Sequence, residues 1–234
     1  MSARRFRFAA PMRARPSVAP ARVRGAARGK KPPREAAAAA ASRPIPRPLA
    51  DRLRALRLLL LDVDGVLTDG GIYYGEGGAE MKRFHIHDGM GVDLLLRAGI
   101  KVGILTGRIS DLVERRAHEL GMQIVKQGFY DKSRGLDVIL AEAGLKEREV
   151  GYMGDDVQDL AVMRRVGFAA APATAVEEVK AESDHVCVRA GGRGAVREVA
   201  DLILEARGEK KNVLDQITRP GVKPSPRRKG RSGA

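Results

Sequence analysis

Two aspartates two positions apart, Asp62 and Asp64, follow directly on the apolar run 58–61. An extended chain places alternate side chains on the same side, so both carboxylates point to one place at the end of a strand. They repel each other and lose solvation there unless a cation or a catalytic role compensates. The pair therefore predicts a functional site, although two aspartates can also simply cap a turn or a helix.

Two further groups that could bind an anion follow later in the chain. Thr106 and Gly107 come directly after the apolar run 101–105 and offer a hydroxyl and an unhindered backbone amide, which suit a phosphate group. Lys132 could meet a phosphate oxygen as a point charge. Taken singly, the threonine could cap the next helix and the lysine could lie in solvent.

A second group of acids, Asp155, Asp156 and Asp159, follows the apolar run 150–153. Such a cluster could again be the capped start of a helix. Clustered carboxylates without soft ligands favour a hard cation, so magnesium is expected here rather than zinc.

Short apolar runs alternate with helical patterns and would bring these groups together. This alternation predicts an α/β fold with a doubly wound, Rossmann-like parallel sheet, in which the site lies at the carboxyl ends of the strands. The predicted strands are 58–61, 101–105, 123–126, 150–153, 167–170 and 185–188. The predicted helices are 89–98, 109–120, 133–143, 158–166, 175–181 and 194–206. Only segment 71–84 departs from the alternation, and it predicts a β-hairpin of strands 72–74 and 80–84.

The charge of the chain is concentrated at its ends. The net charge is +14, from 43 basic and 29 acidic residues. Residues 1–50 carry a net +12 and residues 208–234 a net +6, so the segment 51–207 is net −4. We expect disordered basic tails at 1–50 and 208–234 around one domain at 51–207. An organelle transit peptide is the alternative interpretation of the N-terminal tail.

The composition excludes several classes of protein. A single cysteine, Cys187, rules out an intrachain disulfide and a multi-cysteine zinc site. No apolar stretch approaches the length of a membrane span, so we expect a protein without membrane contact in the cytoplasm. The basic surface belongs to the tails, and nucleic acid would therefore be bound only through them.

The ordered set Asp-x-Asp-x-x-x-Thr, Thr, Lys and Gly-Asp-Asp-x-x-Asp resembles the haloacid dehalogenase superfamily of aspartate-nucleophile phosphatases. More closely, segments 62–70, 84–91, 104–108, 154–163 and 190–199 resemble the phosphatases of 3-deoxy-D-manno-octulosonate 8-phosphate, a precursor in bacterial lipopolysaccharide synthesis. The resemblance covers nearly all of residues 56–207 and neither tail.

The resemblance implies a role for each of these groups. Asp62 would attack phosphorus and form an aspartyl phosphate, and Asp64 would serve as general acid and then general base. Magnesium would be bound by the side chains of Asp62 and Asp155 and by the backbone carbonyl of Asp64. Further residues are implied in supporting roles. The phosphate contacts would come from Thr106, Gly107 and Lys132, and Asp156 and Asp159 would orient the metal ligands or the lysine.

The spacing leaves no room for the cap domain usual in this superfamily. Only 43 residues separate Asp62 from Thr106, and 25 separate Thr106 from Lys132. The resemblance implies instead a homotetramer in which each hairpin covers a neighbouring site. Such an interface would use the apolar residues Ile72, Tyr73, Tyr74 and Phe84. The alternative is a hairpin that packs on its own domain.

The sugar end of the substrate has its own candidate contacts. Arg108 adds local positive charge, and Arg193 stands in a glycine-rich loop, 191–194, where it could meet the substrate carboxylate or belong to a plain turn. His87 occupies the place where the resembling phosphatases commonly have arginine, and imidazole is largely neutral at pH 7.

Two other functions fit the same catalytic groups. A nonulosonate 9-phosphate phosphatase differs only in the sugar, and a nucleic-acid 3′-phosphatase would use the basic tails as DNA-binding arms. A non-catalytic module is disfavoured because every catalytic position is filled. A bacterial receiver domain is disfavoured because its acidic pair and its phosphorylated aspartate stand on different strands.

Overall fold

The computed structural model describes residues 45–219, which form an α/β fold. The strands in chain order are β1 (Leu58–Leu61), β2 (Tyr73–Tyr74), β3 (Glu80–Met81), β4 (Lys101–Leu105), β5 (Ile124–Lys126), β6 (Val150–Met153), β7 (Phe168–Ala171) and β8 (His185–Val186). Six of them form a central parallel sheet in the order β5-β4-β1-β6-β7-β8, and β2 and β3 form a separate hairpin. The predicted doubly wound parallel sheet with a hairpin is confirmed.

Helices cover both faces of the central sheet. They are α1 (Arg47–Ala55), α2 (Ile86–Arg97), α3 (Asp111–Leu120), α4 (Lys132–Ala143), α5 (Leu160–Met163), α6 (Glu177–Ala181), α7 (Ala195–Arg207) and α8 (Lys210–Thr218). The apolar side chains of α1, α2, α3, α7 and α8 pack in one core cluster, and those of α4, α5 and α6 in a second. Each face of the sheet therefore has its own core.

Strand β1 shows why the sheet forms. All four of its leucines are fully buried. Leu59 and Leu61 belong to one core cluster, while Leu58 and Leu60 belong to the other, as alternation along a strand requires. Burial of one such side chain stabilises the fold by about 1.5–3 kcal/mol, so β1 is held firmly from both sides. It lies between β4 and β6 and carries the catalytic candidates at its end.

The hairpin is shorter than its sequence pattern predicts. Tyr73 pairs with Met81 and Tyr74 with Glu80, and a 3-10 turn at Glu76–Gly78 joins the two strands. The predicted second strand, 80–84, ends at Met81, and α2 begins soon afterwards at Ile86.

Both ends of the domain differ from the predicted boundaries. Helix α1 starts at Arg47, before residue 51, and buries Ala50 and Leu53. The prediction that a disordered tail begins at residue 208 is wrong at its start, because α8 follows there and buries Val213 against the core. Residues 1–44 and 220–234, and the predictions made for them, lie outside the described residues. Within residues 45–219 the longest helices are too short or too polar to cross a bilayer.

Candidate active site

The candidate groups converge at the carboxyl ends of the central strands. Asp62 directly follows β1, Thr106 directly follows β4, and Asp155 comes two residues after β6. The amide of Asp62 donates to the carbonyl of Met153 (3.0 Å), which continues the ladder beyond the strand. Because β1 stands between the other two strands, the three side chains are brought to one edge of the sheet.

Lys132 joins this edge from the first turn of α4 and lies between two carboxylates. Its Nζ is 2.9 Å from Oδ2 of Asp62 and 2.5 Å from Oδ1 of Asp159. All three residues are buried. Burial alone would lower the pKa of Lys132, but the attraction of Asp62 and Asp159 outweighs it and the pKa is raised. The lysine is therefore a fixed positive charge beside the candidate nucleophile.

Asp159 organises this edge through four hydrogen bonds. Its Oδ1 accepts from Lys132 and from the hydroxyl of Tyr152 (2.6 Å), while its Oδ2 accepts from the amides of Asp155 (2.8 Å) and Asp156 (3.2 Å). The side chain is fully buried. Asp159 thus fixes both the lysine and the backbone that carries Asp155.

Tyr152 belongs to the site, although sequence reasoning missed it. The residue is completely buried in β6, and its hydroxyl also receives a hydrogen bond from Lys132 (3.3 Å). Burial, together with the negative charges of Asp159 and Asp62, raises its pKa well above the usual value. The available signal was a tyrosine within a buried strand, whose hydroxyl needs an internal partner.

The carboxylates of Asp62, Asp155 and Asp159 form a cluster suited to a hard cation. Their oxygens lie within 4.8 Å of one another. Oδ1 of Asp62 is buried and has no hydrogen-bond partner among the described residues. Burial, which Lys132 only partly offsets, raises the pKa of Asp62 to about 6. Burial and the charges of Asp62 and Asp159 raise the pKa of Asp155 to about 7. The unpartnered oxygen and the mutual repulsion fit a divalent cation with oxygen ligands.

A glycine allows the two aspartate loops to approach. Gly65 has a φ of +87°, and a Cβ at this position would lie 1.9 Å from Oδ2 of Asp155. A side chain there would be strained by the backbone conformation and would collide with the carboxylate. Gly65 therefore permits the close packing of the nucleophile loop on Asp155.

The carboxylate of Asp64 contacts two positively charged side chains from different parts of the chain. Lys82, just after β3, lies 2.5 Å from its Oδ1, and Arg108 lies 3.5 Å from its Oδ2. Glu80 contacts both cations and accepts a hydrogen bond from the hydroxyl of Ser110 (2.8 Å). Sequence reasoning named Arg108 but missed Lys82 and Glu80, whose alternate positions on a strand were the available signal.

Thr106 and Gly107 lie directly after β4. Thr106 is buried, its amide donates to Lys126 (3.0 Å), and its carbonyl accepts from the amide of Phe129 (3.1 Å). Gly107 is partly exposed, and a Cβ there would meet only ordinary contacts. The pair forms a supported loop at the edge that carries Asp62.

Asp156 differs from its expected role. Its side chain is exposed and caps the 3-10 turn at Val157–Asp159 by accepting from the amide of Val157 (2.7 Å). Only its backbone amide reaches Asp159. The carboxylate of Asp156 therefore shapes the local turn and does not hold Lys132.

The glycine-rich loop that carries Arg193 packs against the nucleophile loop. The amide of Gly192 donates to the carbonyl of Val66 (2.9 Å), and a Cβ on Gly191 would lie 1.7 Å from the carbonyl oxygen of Gly65. Arg193 itself is exposed. Backbone packing this close requires glycine, and it places Arg193 on the rim of the candidate site.

His87 is exposed at the start of α2. Its amide donates to Nδ1 of His85 (3.3 Å), and the two rings meet edge to face with centroids 5.0 Å apart. Phe84, expected at an interface, packs partly buried against its own core. By contrast, Ile72, Tyr73 and Tyr74 are exposed, so the first strand of the hairpin presents an apolar surface.

Comparisons with known proteins agree with this geometry. Residues 116–198 match the family described as haloacid dehalogenase-like hydrolase. The 3-deoxy-D-manno-octulosonate 8-phosphate phosphatase of Escherichia coli is 42% identical over 166 residues, which cover 71% of this chain and 88% of that protein.

Solved structures give the same result. The 3-deoxy-D-manno-octulosonate 8-phosphate phosphatase from Yersinia pestis superposes with a TM-score of 0.70 at 41% identity, covering 72% of this chain and 91% of that one. The enzyme of the same name from Moraxella catarrhalis, in complex with magnesium ion, phosphate ion and a KDO molecule, has a TM-score of 0.70 at 37% identity, covering 72% and 97%.

Proposed function

The chain belongs to the 3-deoxy-D-manno-octulosonate 8-phosphate phosphatase family of haloacid dehalogenase-like hydrolases, and we propose that it releases phosphate from this sugar acid through an aspartyl phosphate. The observation that carries the proposal is the buried cluster of Asp62, Lys132 and Asp155 at the end of β1. It combines a nucleophile, a fixed cation and a metal ligand where this fold gathers its site.

Asp62 is the nucleophile in this proposal. Lys132 holds its Oδ2, which fixes the direction of the carboxylate. A carboxylate oxygen forms the bond to phosphorus while the bond to the sugar oxygen breaks. Water then attacks the phosphorus of the aspartyl phosphate and releases inorganic phosphate and free Asp62.

Asp64 moves the protons in both steps. As the acid it gives a proton to the departing sugar oxygen, and as the base it takes one from the attacking water. Lys82 and Arg108 hold the two oxygens of Asp64, so its carboxylate is oriented before substrate binds. The contact of Lys82, next to β3, is the contribution of the hairpin to catalysis.

The phosphoryl group is held by the hydroxyl of Thr106, the amide of Gly107 and the ammonium of Lys132. Its transfer depends mainly on positioning and on stabilisation of negative charge. Arg108 stands beside Asp64 and adds positive charge on the side of the sugar.

The cofactor is Mg²⁺, and the residues that would hold it are the side chains of Asp62 and Asp155 and the backbone carbonyl of Asp64. When bound, it neutralises the repulsion between the nucleophile and the phosphate. Asp159 is a positioning residue, because it fixes Lys132 and the amide of Asp155.

The sugar acid is recognised at the rim of the site. Arg193 lies there on the glycine-rich loop and would meet the carboxylate of the substrate. His87, as a largely neutral imidazole, would contribute hydrogen bonds rather than charge. Such a reaction would belong to cytoplasmic lipopolysaccharide precursor synthesis.

The active assembly in this proposal is a homotetramer. Tyr74 is 70% exposed and Ile72 50% exposed at the first strand of the hairpin, which supports burial of this strand against a second copy. Light scattering of purified protein should give four times the mass of the chain. Tyr74→Asp should lower that mass. If the wild type and the variant both have the mass of a single chain, the tetramer is rejected.

A panel of phosphorylated substrates tests the function. We expect hydrolysis of 3-deoxy-D-manno-octulosonate 8-phosphate with Mg²⁺ and none after chelation. Asp62→Asn should lower kcat at least about 10³-fold with the fold intact by circular dichroism. Preference for a nonulosonate 9-phosphate would overturn the assignment of the sugar. Preference for a 3′-phosphorylated oligonucleotide would overturn the assignment of the substrate class.

A further inference from the structure

Three possible metal ligands lie together away from the candidate active site, between β8 and α7. His185 and Cys187 alternate along an extended segment, so their side chains point to the same side, towards the first turns of α7. Glu198 stands there on α7. Nitrogen, sulfur and carboxylate oxygen of the three residues all lie within 4.8 Å of one another.

The distance between two of these ligand atoms already fits a tetrahedral metal site. Nε2 of His185 lies 3.4 Å from Oε1 of Glu198. Metal bonds of about 2.0–2.2 Å in a tetrahedral arrangement place a nitrogen and an oxygen ligand about 3.4 Å apart. With the imidazole proton on Nδ1, Nε2 is free to ligate, and a cation would take the place of the present contact between imidazole and carboxylate.

A cavity beside the cluster leaves space for a further ligand. Its volume is about 460 Å³, and both His185 and Glu198 line it together with His87, Arg189 and Arg197. Water from this cavity could reach the position between the three side chains. The protein would then supply three ligands and water the fourth, as in open zinc sites.

We propose that His185, Cys187 and Glu198 bind a divalent cation of the zinc class, with a water molecule from the cavity as the fourth ligand. The thiolate and the carboxylate together carry two negative charges and match one divalent ion. Sulfur and imidazole ligands select zinc or cobalt over magnesium, so this site and the oxygen-only cluster around Asp62 would take different metals.

The thiol has to lose its proton when the cation binds. Burial, followed by the charges of Glu198 and Asp88, raises the pKa of Cys187, so the thiol is protonated in the metal-free protein. Its Sγ faces the carbonyl of Ala195 at 3.7 Å. Metal binding forms the bond from sulfur to the cation and releases one proton to solvent.

The other two ligands need little rearrangement. The carboxylate of Glu198 accepts hydrogen bonds from the amides of Val188 (2.9 Å) and Arg189 (3.1 Å), which fix it in place and leave lone pairs for a cation. Such hydrogen bonds orient a ligand before metal arrives. The cation would then tie β8 to α7 on either side of the glycine-rich loop.

Cobalt titration of the full chain in excess Mg²⁺ tests the proposal. A cobalt–thiolate bond absorbs in the near ultraviolet, whereas an oxygen-only site does not. Since Cys187 is the single cysteine of the chain, the absorption can come from no other residue. We expect it to saturate at one cobalt per chain and to disappear when zinc is added.

Two variants and one control complete the test. Cys187→Ser should abolish the absorption, and His185→Gln should weaken cobalt binding at least about tenfold. His87→Gln lines the same cavity outside the cluster and should bind as the wild type does. No absorption in the wild type, or loss only in His87→Gln, would overturn the proposal. His185→Gln decides alone if Cys187→Ser fails to fold, because wild-type affinity in that variant also overturns it.

Discussion

Nζ of Lys82 lies 2.5 Å from Oδ1 of Asp64, which joins the hairpin to the end of β1. The lysine side chain is only 2% exposed, so its charge is shielded from water and interacts with carboxylates of the protein instead. Glu80 lies 3.4 Å from the same Nζ and balances part of its charge. The base of the hairpin therefore contacts its own domain, while the tyrosines of β2 remain exposed.

Removal of the Lys82 charge should slow the reaction. In Lys82→Met, one oxygen of Asp64 loses its partner, and the acid–base group is no longer held in one direction. We expect kcat to fall about tenfold or more, with a smaller change in KM, because orientation of a proton-transfer group acts mainly on the chemical step. Steady-state kinetics with the sugar phosphate measure both constants.

Two matched variants distinguish orientation from general damage. Lys82→Arg keeps a positive charge and should recover most of the lost kcat. Arg83→Gln removes a neighbouring ion pair to Asp69 in which the arginine is about half exposed, and it should change kcat less than twofold. An equal loss in all three variants would contradict the assigned role of Lys82.

The hydroxyl of Tyr152 should contribute to stability more than to turnover. In Tyr152→Phe, Asp159 loses a buried hydrogen bond of 2.6 Å but keeps Lys132. A hydrogen bond to a charged group contributes about 1.5–3 kcal/mol, and we expect the free energy of unfolding to fall by that amount. Urea unfolding measures it. Tyr130→Phe, whose ring is 78% exposed, serves as the control and should change stability by less than about 0.5 kcal/mol.

Removal of the metal should make stability depend on pH. In the metal-free protein the pKa of Asp62 is raised from 3.8 to about 6 and that of Asp155 to about 7. The folded state then binds protons more tightly than the unfolded chain, so the free energy of unfolding falls as pH rises from about 4 to about 7. Mg²⁺ offsets the repulsion, and the gain in Tm on adding Mg²⁺ should therefore increase between pH 5 and pH 8.

Asp155→Asn provides the comparison for this pH dependence. The amide cannot ionise, so the metal-free variant should lose less stability with rising pH than the wild type, and Mg²⁺ should raise its Tm less. Thermal unfolding at several pH values, with chelator and with Mg²⁺, gives both quantities. A Tm gain that is the same at pH 5 and pH 8 in the wild type would contradict the raised pKa values.

The hydrophobic periodicity and the residues at the strand ends were enough to predict most of the fold and the centre of the site. The apolar runs that became β1, β4 and β6 are buried on both faces, which leaves a clear pattern in sequence. Parallel strands end at one edge of the sheet, so the side chains that follow such runs are expected to lie together from the sequence alone. They are Asp62, Thr106 and Asp155. The hairpin also followed from the pattern of a single segment.

Contacts between distant segments account for what the sequence did not reveal. In the sequence, Lys82 is one polar residue of a predicted hairpin. Its contact with Asp64 forms only in the folded chain. Helix α8 contains few apolar residues, and its stability depends on burial of Val213 against the core. Asp156 and Asp159 look equivalent in sequence, but local turn geometry turns one carboxylate outward and buries the other.

Asp88 shows the same dependence on distant contacts and leads to a stability prediction. Its carboxylate lies buried in α2 and accepts hydrogen bonds from the amides of Gly194 (3.0 Å) and Arg197 (3.1 Å), at the start of α7. It therefore caps a helix from 106 residues away and fixes the end of the glycine-rich loop. Asp88→Ala leaves two amides without partners and should lower the free energy of unfolding by about 2 kcal/mol or more.

Two further variants distinguish the loss of the cap of α7 from the loss of a negative charge near that helix. Asp88→Asn keeps one acceptor oxygen and should lose roughly half as much stability as Asp88→Ala. Asp201→Ala removes a carboxylate of α7 that pairs with Arg197 near the surface, and its cost should stay below about 1 kcal/mol. Because the loop packs on Gly65, Asp88→Ala should also raise KM for the sugar phosphate, whereas Asp201→Ala should not. Urea unfolding and steady-state kinetics check both expectations, and equal effects of Asp88→Ala and Asp201→Ala would show that Asp88 does not act as a cap.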